Sequence, residues 1–275
     1  MKNKYDIIWL QSIDSTNDEA RRRISTLDNL SVLSAFCQTS GHGQRGNSWY
    51  ANAGENLTFS IVLKHNTRIK AIDQFALSEM AALAVIELLA AHEIEAKVKW
   101  PNDIYVGDRK ICGILIENSL RGDTLSSSII GIGLNVNQTE FDPSLPNPTS
   151  MALCNTSGRW QSLPLLLEEF MDIFKGFCNR YLNITGGLAQ LRRIYLSHMW
   201  HLNETVLFID YTSLPDGHLN GPVGISSASD IGRKFPGKIR GLSPVGNLLV
   251  EDLTVNPSQI REFSFKEIAI SLSCH

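Results

Sequence analysis

Cysteine is scarce in this 275-residue sequence, and its placement excludes more than its number does. Cys37, Cys112, Cys154, Cys178 and Cys274 contain no C-x-x-C pair, and five widely spaced thiols argue for a reduced protein without a disulfide framework. A basic excess is also missing. Lys and Arg number 25 against 28 Asp and Glu, a net charge of −3, which leaves no footprint for non-specific nucleic-acid binding. The seven histidines show no H-E-x-x-H or similar ligand spacing, so no metal site is expected. There is no G-x-S-x-G elbow, which removes the α/β-hydrolase nucleophile. There is no G-x-x-x-x-G-K-[ST] loop either, so any ATP bound here is not held by a P-loop. The opening residues MKNKYDIIWLQSIDSTN lack the apolar core and cleavage site of a signal peptide. The longest helical apolar stretch, about Met80 to Ala91, is interrupted by Glu87 and reads as too short to span a bilayer. A soluble cytoplasmic protein with neither membrane nor nucleic-acid partner is expected.

What is present is ordinary globular composition, 43% hydrophobic and 19% charged, in a chain long enough for one large domain and a small one. Strands are expected over Tyr5 to Leu10, Val32 to Gln38, Leu57 to Leu63 and Ser126 to Asn137. A helix begins at Thr16, with Thr16 as N-cap and Glu19 completing a capping box. Asp73 to about His92 reads as a long buried helix. Ser162-Leu163-Pro164 opens another, whose apolar face runs through Leu166, Phe170, Ile173, Phe174, Phe177 and Tyr181. From about Asn203 the texture changes to short β runs punctuated by Gly, Pro, Asn and Ser. The expected architecture is α+β, a mixed sheet flanked by helices over residues 1–200, with a small β-barrel over 203–275. Pro215 to Pro236 reads as a Gly/Ser-rich insertion in that tail.

Four segments carry chemistry. In KVKWPNDIYVGDRKICGILIE, residues 97 to 117, two close turns bring Lys99, Asn102, Asp103 and Lys110 together on short strands. A carboxylate, an amide and two cations so placed suit an anionic nucleotide, and they equally fit a charged surface hairpin. Gly41-His42-Gly43-Gln44-Arg45-Gly46 spells G-x-G-x-x-G, but no helix opens after it, so it is not a dinucleotide fingerprint. It reads as a loop whose backbone can wrap an anion, with Arg45 as its cation, or as a plain glycine-rich turn. Trp49, three residues on, suits packing over a ligand. In the strand Ser127 to Asn137, one face carries Ile130, Ile132, Leu134 and Val136 and is core. Its other face carries Gly131, Gly133, Asn135 and Asn137, which implies that something bulky approaches the backbone there. Ser15-Thr16-Asn17 caps a helix, and such an end also accepts a carboxylate or ureido oxygen.

In this order and spacing, Ser15-Thr16-Asn17, Gln38 through Gly46 with Trp49, Lys99 through Asp103 with Lys110 and Gly113, and Gly131 through Asn137 resemble the biotin protein ligases, which biotinylate acetyl-CoA carboxylase. The resemblance implies a class II aminoacyl-tRNA synthetase-like catalytic domain and an SH3-like C-terminal barrel. It further implies ATP, biotin and Mg²⁺, and a biotin carboxyl carrier domain as partner, the enzyme being monomer or homodimer. Carried over by position, Ser15, Thr16, Asn17, Gln38, Gly41 and Gly113 contact biotin, and His42, Gly43 and Gln44 fold over it. Lys110 stands by the carboxylate and phosphate, with Arg45 and Asp103 as further catalytic groups. Arg45, Trp49, Lys99, Asn102, Gly133 and Asn135 hold the nucleotide. Asp103 is the one guess for a Mg²⁺ ligand. Where that family most often has Gly-Arg-Gly-Arg-Arg-Gly, this chain has His42 and Gln44, which lowers the loop's charge. The motif series starts by residue 15, so no winged-helix domain and no repressor role are expected. Two alternatives remain: a lipoate or octanoyl ligase of related fold, and a non-catalytic biotin-binding regulator.

Overall fold

The computed structural model describes residues 4–65, 69–155, 159–182, 184–212 and 232–271, with Arg45 described by its backbone alone. The chain divides into two compact units, Met1–His198 and Met199–His275. The first is built on seven strands: β1 (Ile7–Leu10), β2 (Val32–Ala35), β3 (Leu57–Lys64), β4 (Lys97–Lys99), β5 (Asp103–Val106), β6 (Arg109–Arg121) and β7 (Thr124–Leu134). They lie in the order β1-β2-β3-β7-β6-β5-β4. Only β1 and β2 run parallel, and every other neighbouring pair is antiparallel. The sheet is therefore mixed, and the fold is α+β.

Alternation along β3 and β7 assigns the two faces of this sheet. Phe59, Ile61, Ile130, Ile132 and Leu134 are buried. Phe59 meets the ring of Phe170 edge-on at 5.2 Å, so this face carries α4 (Leu163–Phe177). The opposite face presents Leu33, Val62 and Ile129 to Ala20 of α1 (Thr16–Arg22). Helix α1 covers one end of that face, and the same face continues to Gly131 and Gly133. The first helix starts one residue earlier than its sequence suggests. Ser15, not Thr16, is the N-cap, its side chain accepting from the Asp18 amide, and Glu19 pairs with Arg22 and Arg23 instead of closing a capping box. Thr16 is thereby buried and turned toward the sheet.

Helix α2 (Phe75–Ala91) packs against α4 and against α5 (Gly187–Ser197), a helix not anticipated from sequence. With the preceding turn, Ala71–Ala91 is long and apolar enough to cross a membrane by length and composition, contrary to the sequence estimate. Most of it is nonetheless buried inside the protein, so it serves as a core helix. It carries Glu79, 1% exposed and ion-paired to Arg192 of α5. Short helix α3 (Met151–Cys154) follows the loop after β7.

The second unit is an antiparallel sheet of β8 (Thr205–Asp210), β9 (Arg233–Leu242), β10 (Leu248–Asp252), β11 (Gln259–Phe263) and β12 (Ile268–Ile270), in the order β11-β10-β9-β8-β12. Phe208, Phe235 and Phe263 stack at its centre, with centroids 5.6 and 6.2 Å apart. Strand β9 begins at Arg233, inside the stretch read as an insertion; residues 215–231 of that stretch lie outside the described residues.

Burial raises the Glu79 carboxyl from 4.5 to about 7, against the pull of Arg192. The folded protein holds that proton more tightly than the unfolded chain does. Its stabilisation is complete below about pH 4.5 and is lost as the pH rises through about 7. Wild type is expected to lose stability relative to Glu79→Gln across this window, by at most on the order of 3 kcal/mol. Urea midpoints of the two proteins that ran parallel from pH 4.5 to 8 would contradict this.

Candidate active site

The cleft is laid out by strand register. Gly131 stands opposite Ser60 on β3 and Leu115 on β6, and Gly133 stands opposite Thr58 and Gly113. Gly113 and Gly133 therefore form a cross-strand pair with no side chains on the cleft face. The indole of Trp49 lies across them. A Cβ at Gly113 would sit 3.1 Å from Trp49 Cζ3, and one at Gly133 would collide with the indole outright. A Cβ at Gly131 would collide with the Asn17 amide. The sequence correctly marks a close approach to this strand face, but the approaching groups are the protein's own Asn17 and Trp49.

Around this floor lies a small cleft that is partly open to solvent. Ser15, Thr16, Asn17, Gln38, His42, Gly43, Gln44, Trp49, Asn102, Lys110, Gly113, Gly131 and Gly133 line it, so most of the expected site residues do converge. One end is a polar row. The Thr16 amide donates to Gln38 Oε1 at 2.7 Å, Thr16 Oγ1 lies 2.8 Å from Ser60 Oγ, and Ser60 Oγ donates to Asn17 Oδ1 at 2.6 Å. Asn17 Nδ2 in turn donates to Glu117 Oε2 at 3.0 Å.

The other end is ionic. Lys110 Nζ lies 2.7 Å from Asp103 Oδ1 and 5.7 Å from the Trp49 ring centroid. Both residues sit at the β5–β6 hairpin, where Asp103 pairs with Gly113, so their separation is fixed by the sheet. Asn102 is held by its Nδ2 and carbonyl, bonded to the Ile114 carbonyl at 2.7 Å and amide at 3.0 Å. Buried Cys112 beneath them has its thiol pushed well up by desolvation and is inert.

The covering loop folds as a short hairpin. The Trp49 amide donates to the Gly41 carbonyl at 2.9 Å, and the Gly43 amide donates to that of Asn47 at 2.7 Å. Gln44–Gly46 turns at the tip, where Gly46 takes φ 83°. A Cβ at Gly41 would lie 2.6 Å from the Trp49 carbonyl oxygen, so glycine is needed to close the hairpin. His42 Nε2 reaches Asp18 Oδ2 on α1 at 3.0 Å, joining the loop to the helix. The Arg45 side chain lies outside the described residues.

Two expected nucleotide contacts, Lys99 and Asn135, do not line the cleft. Lys99 turns from the cleft: its Nζ donates to Tyr105 Oη at 2.9 Å and lies 4.5 Å over that ring. Asn135 is buried just past the end of β7 with Nδ2 donating to the Thr149 carbonyl at 2.8 Å, while Asn137 bonds Gln161. These amides order the chain that follows β7 instead of continuing the glycine face. Among the described residues, Trp49 Nε1 and Asn135 Oδ1 are the buried side-chain polar atoms without a partner. Asp103 is occupied by Lys110, and no group of three or more His, Cys, Asp or Glu gathers among the described residues. That donor set does not fit a resident metal ion.

Ser60, Leu115 and Glu117 also belong to the site and were missed. The signal was available: Thr58 and Ser60 alternate along β3, and Gly113, Leu115 and Glu117 along β6, on the same face as Gly131.

Residues 9–135 match the family described as the Biotin/lipoate A/B protein ligase family. The bifunctional ligase/repressor BirA of Bacillus spizizenii is 28% identical over 78% of this chain, which spans 59% of that relative's length. The biotin–acetyl-CoA-carboxylase ligase of Paracoccus denitrificans is 29% identical over 77% of this chain and 88% of its own length. Among solved structures, a biotin protein ligase from Aquifex aeolicus in complex with biotin and ATP superposes with a TM-score of 0.72 at 25% identity. It covers 98% of this chain and 99% of that one.

The glycine floor sets a direct expectation. Gly133→Ala will leave the fold intact but force the Trp49 indole off the sheet. Its fluorescence emission should shift relative to wild type, and the shift should vanish in a Trp49→Phe background. An unchanged spectrum would mean that the indole does not rest on Gly133.

Proposed function

We propose that this chain, a member of the biotin/lipoate A/B protein ligase family, is a biotin protein ligase that activates biotin with ATP and passes it to a lysine of a biotin carboxyl carrier domain. The observation that carries this reading is a single cleft with a hydrogen-bonding row at one end and a lysine at the other. A bicyclic urea with a carboxylate tail has those two ends. The polar row of Ser15, Thr16, Asn17 and Gln38 would take the ureido group. The Trp49 indole, lying on the Gly113–Gly133 pair, would wall the aliphatic tail. The carboxylate would then lie at Lys110.

In the first step a carboxylate oxygen of biotin attacks the α-phosphorus of ATP, and the bond to the leaving pyrophosphate breaks. In the second, the carrier lysine's amine attacks the resulting mixed anhydride, forming an amide and releasing AMP with a proton. Both steps place negative charge beside the carboxyl carbon. Lys110, positioned by Asp103 on a rigid hairpin, supplies the fixed positive charge that such steps need. The Asn135 Oδ1 atom, buried and without a donor, suits the exocyclic amine of adenine. Mg²⁺ would arrive with the ATP phosphates, since no protein donor set fits it independently. The hairpin bearing His42, Gly43 and Gln44 closes the top and keeps water from the anhydride.

The decisive experiment is transfer of labelled biotin to a purified carrier domain with and without ATP, with lipoate offered in parallel and the product read by mass spectrometry. ATP-dependent biotinylation supports the reading, whereas lipoylation alone would reassign the substrate. Pyrophosphate release on adding biotin and ATP separates an enzyme from a binding protein. Lys110→Ala is expected to lower that release at least about a hundredfold with the fold unchanged, as loss of a transition-state donor does; near-wild-type activity would displace Lys110 from this role. Because the loop carries Gln44 where a cation is common, Gln44→Arg should slow dissociation of biotinyl-5′-AMP. Equal off-rates would show that loop charge does not govern retention.

A further inference from the structure

Lys110 stands at an irregular point of β6. On one side β7 ends at Leu134, opposite Cys112, so β7 does not reach Lys110. On the other side the pairing with β5 slips. Ile104 faces Cys112 and Tyr105 faces Lys110, which leaves Ile111 as the extra residue of a bulge. The backbone of Lys110 is secured by a third stretch of chain. Its N–H donates to the Asn147 carbonyl at 2.8 Å, and its carbonyl accepts from the Thr149 amide at 2.9 Å. A residue has a single backbone N–H, and that of Lys110 is spent here. Asn147–Thr149 therefore lies alongside β6, bridging it in parallel at Lys110 and Pro148.

That stretch is itself fastened at both ends. Asn147 Nδ2 donates to the Asp108 carbonyl, in the β5–β6 turn, at 2.5 Å. Asn135 Nδ2 donates to the Thr149 carbonyl at 2.8 Å. Each neighbour is a carbonyl and can only accept, so the NH₂ end of each amide must face it. Thr149 and Asn135 are buried, whereas Asn147 is partly exposed.

We infer that Asn147 is a positioning residue for Lys110, bolting to the hairpin turn the stretch that holds the lysine's backbone. The inference rests on the reading of the cleft as a biotin site in which Lys110 acts beside the carboxylate. Asp103 restrains the tip of the Lys110 side chain, and Asn147 restrains its root. A partly exposed ion pair is too weak to hold an ammonium group in place if the backbone beneath it moves. Held at both ends, Nζ is confined to one place. Catalysis by a fixed charge depends on that placement, and a shift of about 1 Å can cost on the order of a hundredfold in rate.

The test compares wild type with Asn147→Leu, which keeps the side chain's approximate size, lacks a donor and adds no charge near Lys110. At a partly exposed position the fold will tolerate it. In pyrophosphate release with biotin and ATP, kcat should fall at least about tenfold while KM for either substrate stays within about twofold. A merely structural role would lower the melting temperature and leave kcat per folded molecule unchanged, and that result would overturn the inference. A second readout needs no ligand. In protein labelled with ¹⁵N-lysine, the Lys110 amide, assigned by its loss in Lys110→Arg, should exchange with solvent at least about tenfold faster in Asn147→Leu. The Lys64 amide, bonded to Asn29 Oδ1 at 2.9 Å, is the internal reference and should not change. Equal exchange at Lys110 in the two proteins would show that Asn147 does not hold this stretch. If wild type releases no pyrophosphate, the functional reading fails instead, and the Lys110 amide still decides the role of Asn147.

Discussion

The cleft exists because two cross-strand glycines let an indole lie on bare backbone. Trp49 comes from the covering loop, while Gly113 and Gly133 belong to the rigid centre of the sheet. With any side chain at either glycine, the loop could not descend to this depth, and the floor would no longer run open from the polar row to Lys110. The glycines weaken strand propensity here, a local cost that β6 and β7 offset by pairing along almost their full lengths and burying Ile130, Ile132 and Leu134 on the other face. Sequence, packing and site thus meet in a single constraint: one face of β7 is built for the core and the other for close approach.

The ionic end follows a different logic. Lys110 and Asp103 are each about a quarter to a third exposed, where a lone ion pair contributes little to stability. Their value lies in placement. The β5–β6 register holds Lys110 over the end of the glycine floor, and Asp103 limits the directions its ammonium group can take. An isolated lysine on a surface loop would sample many rotamers and lose much of its effect on a developing charge. The carboxylate that restrains Lys110 is for the same reason unavailable as an independent metal ligand.

Much of this was readable from residues alone, and the failures have physical causes. Alternation in Ser127 to Leu134 separates the core face of β7 from its glycine face, and the structure keeps that division. The pattern breaks at Asn135, because the strand ends at Leu134 and the alternation no longer applies beyond it. The Asn135 and Asn137 side chains are instead bonded to the chain that follows, at Thr149 and Gln161. The Ser15/Thr16 ambiguity arises because either hydroxyl can cap a helix; burial of Thr16 against Ser60 and Gln38 decides it, and burial is not local information. Lys99 was grouped with Lys110 by proximity in sequence, but pairing with β5 carries it beside Tyr105. Ser60 was overlooked because β3 carries no motif residue, and Glu117 because it lies beyond the Lys110–Gly113 motif on β6. Helix α5 was missed although its buried Gly187, Leu191 and Tyr195 recur at helical spacing.

The covering loop is fastened by contacts within the protein. Here His42 reaches a carboxylate on α1, Gly41 and Trp49 close a backbone hairpin, and the indole lands on the glycine pair. Each of these contacts is made by protein alone. Contacts of this kind order the roof without help from a ligand, so less of a ligand's binding free energy would go into ordering it.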